Sequence, residues 1–277
     1  MSKYDLSWNQ EKLQRYIKEG RGQGEGKDYK PWITVHDFPS EGITTKLPSP
    51  KTGRSSHFLS LNEYRLYLLL EWAGKVTDIR EQYPMDLKET MRIAEELGIK
   101  HPEDNVSKVP YVMTTDFMIT MNNEGKKTYV VRTVKPAKML ESKNVIEHFE
   151  IERRYWLEKG IDWRIVTDLD IPVQLASNIE WAYYSYNLSG GVNEDEEILL
   201  YYGELLKERL ATLDSRIVTV CSRLDSEMNL ETGTSLHIFK YLLTRKEIVM
   251  DMFTKPCTSC STNSITKIIK KENRLVI

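Results

Sequence analysis

Along SLNEYRLYLLLEW the apolar residues recur at helical spacing, and Ser60 followed three residues later by Glu63 predicts a helix from Leu61 to about Trp72. The same spacing predicts helices over Asn9–Glu19, near Leu87–Leu97 and over Ser142–Lys159. Between them, VTDIREQYP and DWRIVTD read as extended segments, and YVMTTDFMITMNNEGKKTYVVRTVKPA reads as two strands joined by a tight turn. From Ile171 onward the pattern becomes helical, with helices expected over Val173–Tyr186, Asp195–Leu213, Ile217–Glu227 and Ser235–Lys246. The order predicts an α/β first domain, residues 1–169, and a mainly helical second domain, residues 170–277. The boundary near Asp168–Pro172 coincides with a helix-ending proline.

Taking Asn123 to Lys126 as the turn, with Glu124-Gly125 at its centre, sets Asp116 opposite Thr133. Strand alternation then places Thr114, Asp116, Thr133 and Lys135 on one face, with Lys135 diagonal to Asp116. Met113, Phe117, Ile119, Val130 and Val134 form the other face, expected to be the core, and Arg132 points away from Asp116. Two further acids stand in apolar company. Glu152 shares a helical stripe with Val145, Phe149 and Trp156, so it is expected either to pair with a lysine or arginine or to serve chemistry. Glu63 shares a face with Leu66, Tyr67 and Leu70, and can either cap its helix through the Ser60 amide or point into a site.

Composition narrows the picture. With 40% hydrophobic and 29% charged residues and a net charge of −2, the 277-residue chain reads as an ordinary soluble protein, so any nucleic-acid contact must come from a local patch. No apolar run reaches membrane-spanning length and the first residues lack the apolar core of a signal peptide; a cytoplasmic protein with no membrane contact is expected. Three cysteines suggest thiols rather than a disulfide framework. Cys257-x-x-Cys260 is half of a zinc-ribbon pattern, and Cys221 and His237 complete no common zinc module. GRGQGEGKDYKPW is rich in glycine and lysine, yet Gly26-Lys27 is followed by Asp28 and Arg21 holds the first glycine position of a P-loop, so that motif is rejected. A mobile basic loop beside DNA, or a plain surface connector, remains. The basic tail SITKIIKKENRLVI is expected to be disordered or to order on a partner.

Carboxylates with a lysine two positions after a strand site suit metal-assisted phosphodiester hydrolysis, in which Mg²⁺ takes oxygen ligands and a lysine assists the attacking water. The order Glu, Asp, x-x-Lys is that of restriction-endonuclease-like folds. More specific are the blocks EGRGQGEGKDYKPWITVHDFPSEG, KTGRSSHFLSLNEYRLYLLLEW, DIREQYP, GIKHP, TTDFMI, VKPA and IERRYWLEKGIDW, in that order. Together, over roughly residues 9 to 184, they resemble the TnsA family of transposon-end endonucleases.

The resemblance implies a restriction-endonuclease-like N-terminal domain with Glu63, Asp116 and Lys135 as catalytic positions and Glu152 as a supporting acid. Glu63, Asp116 and the Val134 carbonyl would hold Mg²⁺, with Mn²⁺ as a substitute. It further implies cleavage of the 5′ strands at transposon ends, beside a TnsB-type transposase that handles the 3′ ends and a TnsC-type ATPase regulator that meets the C-terminal region. In that region TGTSLHIFKYLLTRKEIVMDMF has the helix-then-strand order of a winged helix, where Lys240, Arg245 and Lys246 would reach phosphates if the helix reads DNA. One departure stands out. Where the wider superfamily carries a carboxylate two residues before the lysine, and TnsA relatives can carry Gln, this chain has Thr133, a poorer metal ligand. The rival reading is therefore a non-catalytic assembly factor that binds transposase, ATPase and DNA.

Overall fold

In the computed structural model, residues 7–37, 45–190 and 194–269 are described. The first helix, α1 (Gln10–Lys18), begins where the Asn9 side chain accepts the Lys12 amide proton at 2.8 Å, an N-cap that satisfies one of the free first-turn donors. Its Leu13 and Tyr16 pack with Trp8 and Trp32. Two short antiparallel strands, β1 (Thr45–Pro48) and β2 (Ser55–Phe58), precede α2 (Leu61–Trp72). These two strands are absent from the apolar pattern, because four residues are too few to display alternation. Then come β3 (Val76–Pro84), α3 (Leu87–Leu97), β4 (Thr114–Asn123), β5 (Lys126–Val134), α4 (Lys143–Glu158) and β6 (Asp162–Val166).

Strands β3, β4, β5 and β6 form one mixed sheet in that order: β3, β4 and β5 run antiparallel in succession, and β6 runs parallel to β5 after the crossover through α4. The turn between β4 and β5 has positive φ at both Glu124 (53°) and Gly125 (87°), as a type I′ turn requires. Its register is the expected one, running from Asn123–Lys126 to Phe117–Arg132. Arg132 pairs with Asp162 on β6 at 2.8 Å.

The expectation of a single core face needs correction, because both faces are buried. On one side Met118 and Val131 pack with Ile93 of α3 and Ile151, Tyr155 and Trp156 of α4. On the other, Phe117 meets Phe58 and Tyr67 with ring centroids 6.5 and 6.4 Å away.

The strict alternation expected around Asp116 also fails. Glu81 and Phe117 are Cα partners on the α2 side, where the Glu81 carboxylate receives the His57 amide. At the next level Gln82 and Asp116 face the same side, since the Gln82 amide reaches Glu63 of α2. One level further, Tyr83 meets Trp156 at a tilt and Thr115 bonds Thr133, both on the α4 side. Both strands skip one step of alternation together, so the pairing does not slip. Gln82, at φ 48°, carries the irregular backbone.

The glycine-rich loop is pinned rather than mobile. The Gly22 amide donates to the Lys30 carbonyl at 2.6 Å, Arg54 donates to the Gly26 carbonyl at 3.2 Å, and Lys127 at the hairpin end holds Glu25 at 2.9 Å. Gly22 has φ 78° and lies so close to Pro84 that a Cβ would fall 2.2 Å from its ring, so no larger residue fits.

The chain divides into two compact units, Met1–Ile171 and Pro172–Ile277. The second holds α5 (Val173–Tyr183), α6 (Glu196–Thr212), α7 (Ile217–Glu227) and α8 (Thr234–Thr244), followed by the antiparallel pair β7 (Ile248–Met250) and β8 (Ile265–Ile268). A helix leading into two paired strands is the winged-helix order. Strand β8 takes up part of the tail, which was expected to be disordered or to order on a partner, and pairs it with β7 of the same chain; residues 270–277 lie outside the described residues. Lys207 of α6 is fully buried and fully paired, to Glu204 (2.7 Å), Glu247 (2.9 Å) and the Ile269 carbonyl (2.9 Å).

Lys240 lies over the Trp181 ring and Arg245 over the Tyr186 ring, so both lean on aromatic faces of their own unit. Cys257 and Cys260 are buried; the Cys257 amide donates to Asn178, and burial with Cys260 nearby pushes its thiol up to about 12. Among the described residues no helix is long and apolar enough to cross a membrane.

Candidate active site

Helix α2 places Glu63 by its own cap. Ser60 accepts the Glu63 amide proton at 3.2 Å, while the Glu63 carboxylate turns back to the Leu59 amide at 3.0 Å, one residue earlier than a standard capping box. Capping and inward orientation therefore hold together. The same carboxylate oxygen lies 3.5 Å from the Gln82 side-chain nitrogen, which also donates to Asp116 Oδ1 at 3.2 Å. The other Asp116 oxygen accepts the Val134 amide proton at 2.6 Å, at the point where regular β4–β5 pairing has ended.

Two acids thus face each other across one amide. Burial, and next the Asp116 charge, push Glu63 up to about 7; burial and the Glu152 charge likewise raise Asp116, against the Val134 amide, Gln82 and the Lys135 charge. Lys135 follows β5, its amide held by the Val166 carbonyl at 3.0 Å, and its ammonium lies near enough to favour the ionised form of Asp116. Of the residues singled out in the sequence, the structure brings Glu63, Asp116, Val134 and Lys135 to one end of the sheet.

Thr133 and Glu152 do not join that surface. The Thr133 hydroxyl donates to Glu152 and receives Thr115 (3.0 Å) and the Trp163 indole N–H (3.2 Å). Glu152 is 3% exposed, and its pairing with a lysine or arginine is replaced by this hydroxyl network. Burial raises it, and the Thr133 bond opposes the rise. The expected sharing of one face by Asp116 and Thr133 is thereby corrected, and the cause is the paired irregularity at Gln82 and Asp116.

Gln82 itself escapes the sequence reading. It sits in DIREQYP among residues read only as a strand, and alternation alone would put it beside Arg80, away from both acids.

Among the described residues no group of three or more His, Cys, Asp and Glu side chains could hold a metal ion. Glu63 and Asp116 nevertheless suit Mg²⁺, which binds through one or two carboxylates and keeps waters and substrate oxygens. Glu63 is buried and Asp116 half-buried, and among the described residues neither closes an ion pair, so a cation would offset their mutual repulsion.

A groove of about 610 Å³ lies on the same unit, lined by Lys18, Arg21, Lys27, Lys30, Arg54 and His57 together with one acid, Glu19, which Arg21 holds at 2.8 Å. Arg21 and Arg54 are held by Asp37 and Glu81, each at 2.7 Å. Burial lowers His57 to about 4, so its ring is neutral near pH 7, with Nδ1 accepting the Val35 amide. Lys18 and Lys27 close no ion pair among the described residues. From β2 the chain runs on through Leu59 to Glu63, which joins this basic wall to the acid pair.

Residues 73–168 match the family model of the TnsA-like endonuclease N terminal domain, and residues 170–252 that of the TnsA endonuclease C terminal domain. Over 276 residues the chain is 36% identical to the transposon Tn7 transposition protein TnsA of Escherichia coli, a match spanning 98% of this chain and 97% of that protein.

Proposed function

The chain belongs to the TnsA endonuclease family, and from that membership we propose that Glu63, Asp116 and Lys135 are the centre of a Mg²⁺-dependent DNA endonuclease that cleaves the 5′ strands at transposon ends. The observation that carries it is the Glu63–Asp116 pair, a buried and a half-buried acid with a single amide between them and a lysine beside them. Glu63, Asp116 and the Val134 carbonyl would hold Mg²⁺ or Mn²⁺, which supplies charge stabilisation at the scissile phosphate and acidifies water.

The chain's own residues do the positioning. The Leu59 and Val134 amides fix the two carboxylates, and Lys135 orients the attacking water against the phosphate. The basic groove, with Lys18 and Lys27 uncommitted, takes the DNA backbone, whose contacts position without reading sequence. Glu152 supports the site indirectly, by holding Thr133 on β5. The TnsB-type transposase and TnsC-type ATPase are the proposed partners.

Thr133 and the lack of a three-acid cluster among the described residues favour one second reading, an assembly factor without catalysis. A cleavage assay on end-labelled transposon DNA, supplemented with partners and with Mg²⁺ or Mn²⁺, separates the two. The endonuclease nicks the 5′ strands in a metal-dependent way; an assembly factor leaves them intact while still joining the complex.

A further inference from the structure

We infer that Gln82 is the third protein oxygen ligand of the proposed metal, exchanged into place by rotation of its side-chain amide; this rests on the metal-dependent reading above. Gln82 is 3% exposed, and its Nε2 bridges Glu63 Oε2 (3.5 Å) and Asp116 Oδ1 (3.2 Å). Its Oε1 accepts the Thr114 hydroxyl proton at 3.1 Å. The amide therefore sits between the two carboxylates, and an N–H there does for the acids what a cation does, offsetting negative charge.

A half-turn of the terminal amide exchanges its nitrogen and oxygen with little change in shape. Oε1 then faces the acids, and Nε2 faces Thr114, whose hydroxyl can switch from donor to acceptor. Oxygens about 3.2 to 3.5 Å apart are close to the spacing of neighbouring ligands around an ion whose bonds are roughly 2.1 Å long. The ligand missing at position 133 is thus supplied from β3. Thr133 is turned to Glu152 on the opposite side of the sheet, while the paired irregularity brings Gln82 across to face Asp116.

The backbone adds an independent reason to look at this residue. A non-glycine residue at φ 48° inside a strand is unfavourable, and such conformations concentrate where a side chain must be aimed. Regular alternation at Gln82 would remove the amide from both acids.

Calorimetric titration of Mn²⁺ into the full chain without DNA tests the inference apart from cleavage. Gln82→Asn tolerates positive φ but is one methylene too short; it should bind Mn²⁺ more weakly, on the order of ten-fold. Gln82→Glu keeps an oxygen at the same reach and should bind at least as tightly as the wild type. In the unmodified chain, the side-chain ¹⁵N resonance of Gln82 should shift on adding Mg²⁺, a readout that needs no variant to fold. Unchanged affinity in a folded Gln82→Asn chain, or a Gln82 resonance that ignores Mg²⁺, overturns the ligand role while leaving the metal reading intact. A wild-type chain that binds no Mn²⁺ removes the metal reading, and the Gln82 role with it.

Discussion

Glu152 on α4 and Glu63 on α2 each aim a buried carboxylate at the same sheet, one from each side. Glu152 meets a chain of donors, with Thr115 and Trp163 feeding Thr133 and Thr133 donating to the acid. Glu63 meets a second acid, with one shared amide between them. An acid surrounded by neutral donors is satisfied as it stands, whereas two acids across an amide gain most from a cation. The difference separates a carboxylate that holds the scaffold from a pair available for chemistry, although both kinds look alike in the chain as lone acids in apolar stretches.

The largest expected effect breaks the comparison outright if it is absent. Asp116→Ala and Lys135→Ala should each lower cleavage of the 5′ strand by about 10³-fold or more, as loss of several kcal/mol of charge stabilisation implies. Circular dichroism should show both folded. Glu152→Gln keeps the size of the side chain and an oxygen to accept the Thr133 hydroxyl, so it should cut within a few-fold of wild type; equal loss in Glu152→Gln and Asp116→Ala would show that the two acids are not different in kind.

Next in size is a stability effect. Thr133→Glu would restore the carboxylate that the superfamily carries, yet here it would press a second acid against Glu152. Urea denaturation should show a loss of about 3 kcal/mol or more. A stable Thr133→Glu chain with tighter Mg²⁺ binding would mean that position 133 reaches the metal after all.

A smaller, reversible effect follows from pH. Glu63 and Asp116 hold their protons more tightly folded than unfolded, so this pair's own contribution to the stability of the metal-free protein should be full below the ordinary Asp value of 3.8 and be lost as pH rises through about 7. Saturating Mg²⁺ should flatten that slope, measured by thermal melts across the window. The smallest change is Trp163→Phe, which removes one donor to Thr133 and should cost about 1 kcal/mol while leaving cleavage as it was.

Much of this arrangement was legible in the chain before any coordinates. Glu124-Gly125 set the hairpin register, Ser60 and Glu63 marked the start of α2, and its limits and those of α3 fall where periodicity put them. The facing of Asp116 was not legible, because it depends on a step taken jointly with Gln82 on a partner strand, and alternation read along one strand cannot register it. The ion-pair alternative for Glu152 fails for a related reason. The rule that buried charges find opposite charges overlooks hydroxyl donors, and here Thr133, itself fed by the Trp163 indole, satisfies the acid without a cation. The pinning of the glycine-rich loop rests on Arg54 and Lys127, far away in the chain, and composition alone suggested freedom.

The hairpin's geometry also bears on the order in which the site comes into being. Its turn lies at one end and Asp116 at the other, beyond the last regular pair, Phe117–Arg132. Hairpins of this kind form in microseconds and close outward from the turn. The Asp116 carboxylate can receive the Val134 amide only when seven cross-strand pairs have already closed. The acid end is therefore the last part of the hairpin to zip, and β3 and β6 then secure it, through the Tyr83–Thr115 and Pro84–Thr114 pairs on one edge and the Lys135 amide on the other. A chain whose hairpin has closed only from the turn has its register but not its paired acids, so the acid pair assembles late in folding.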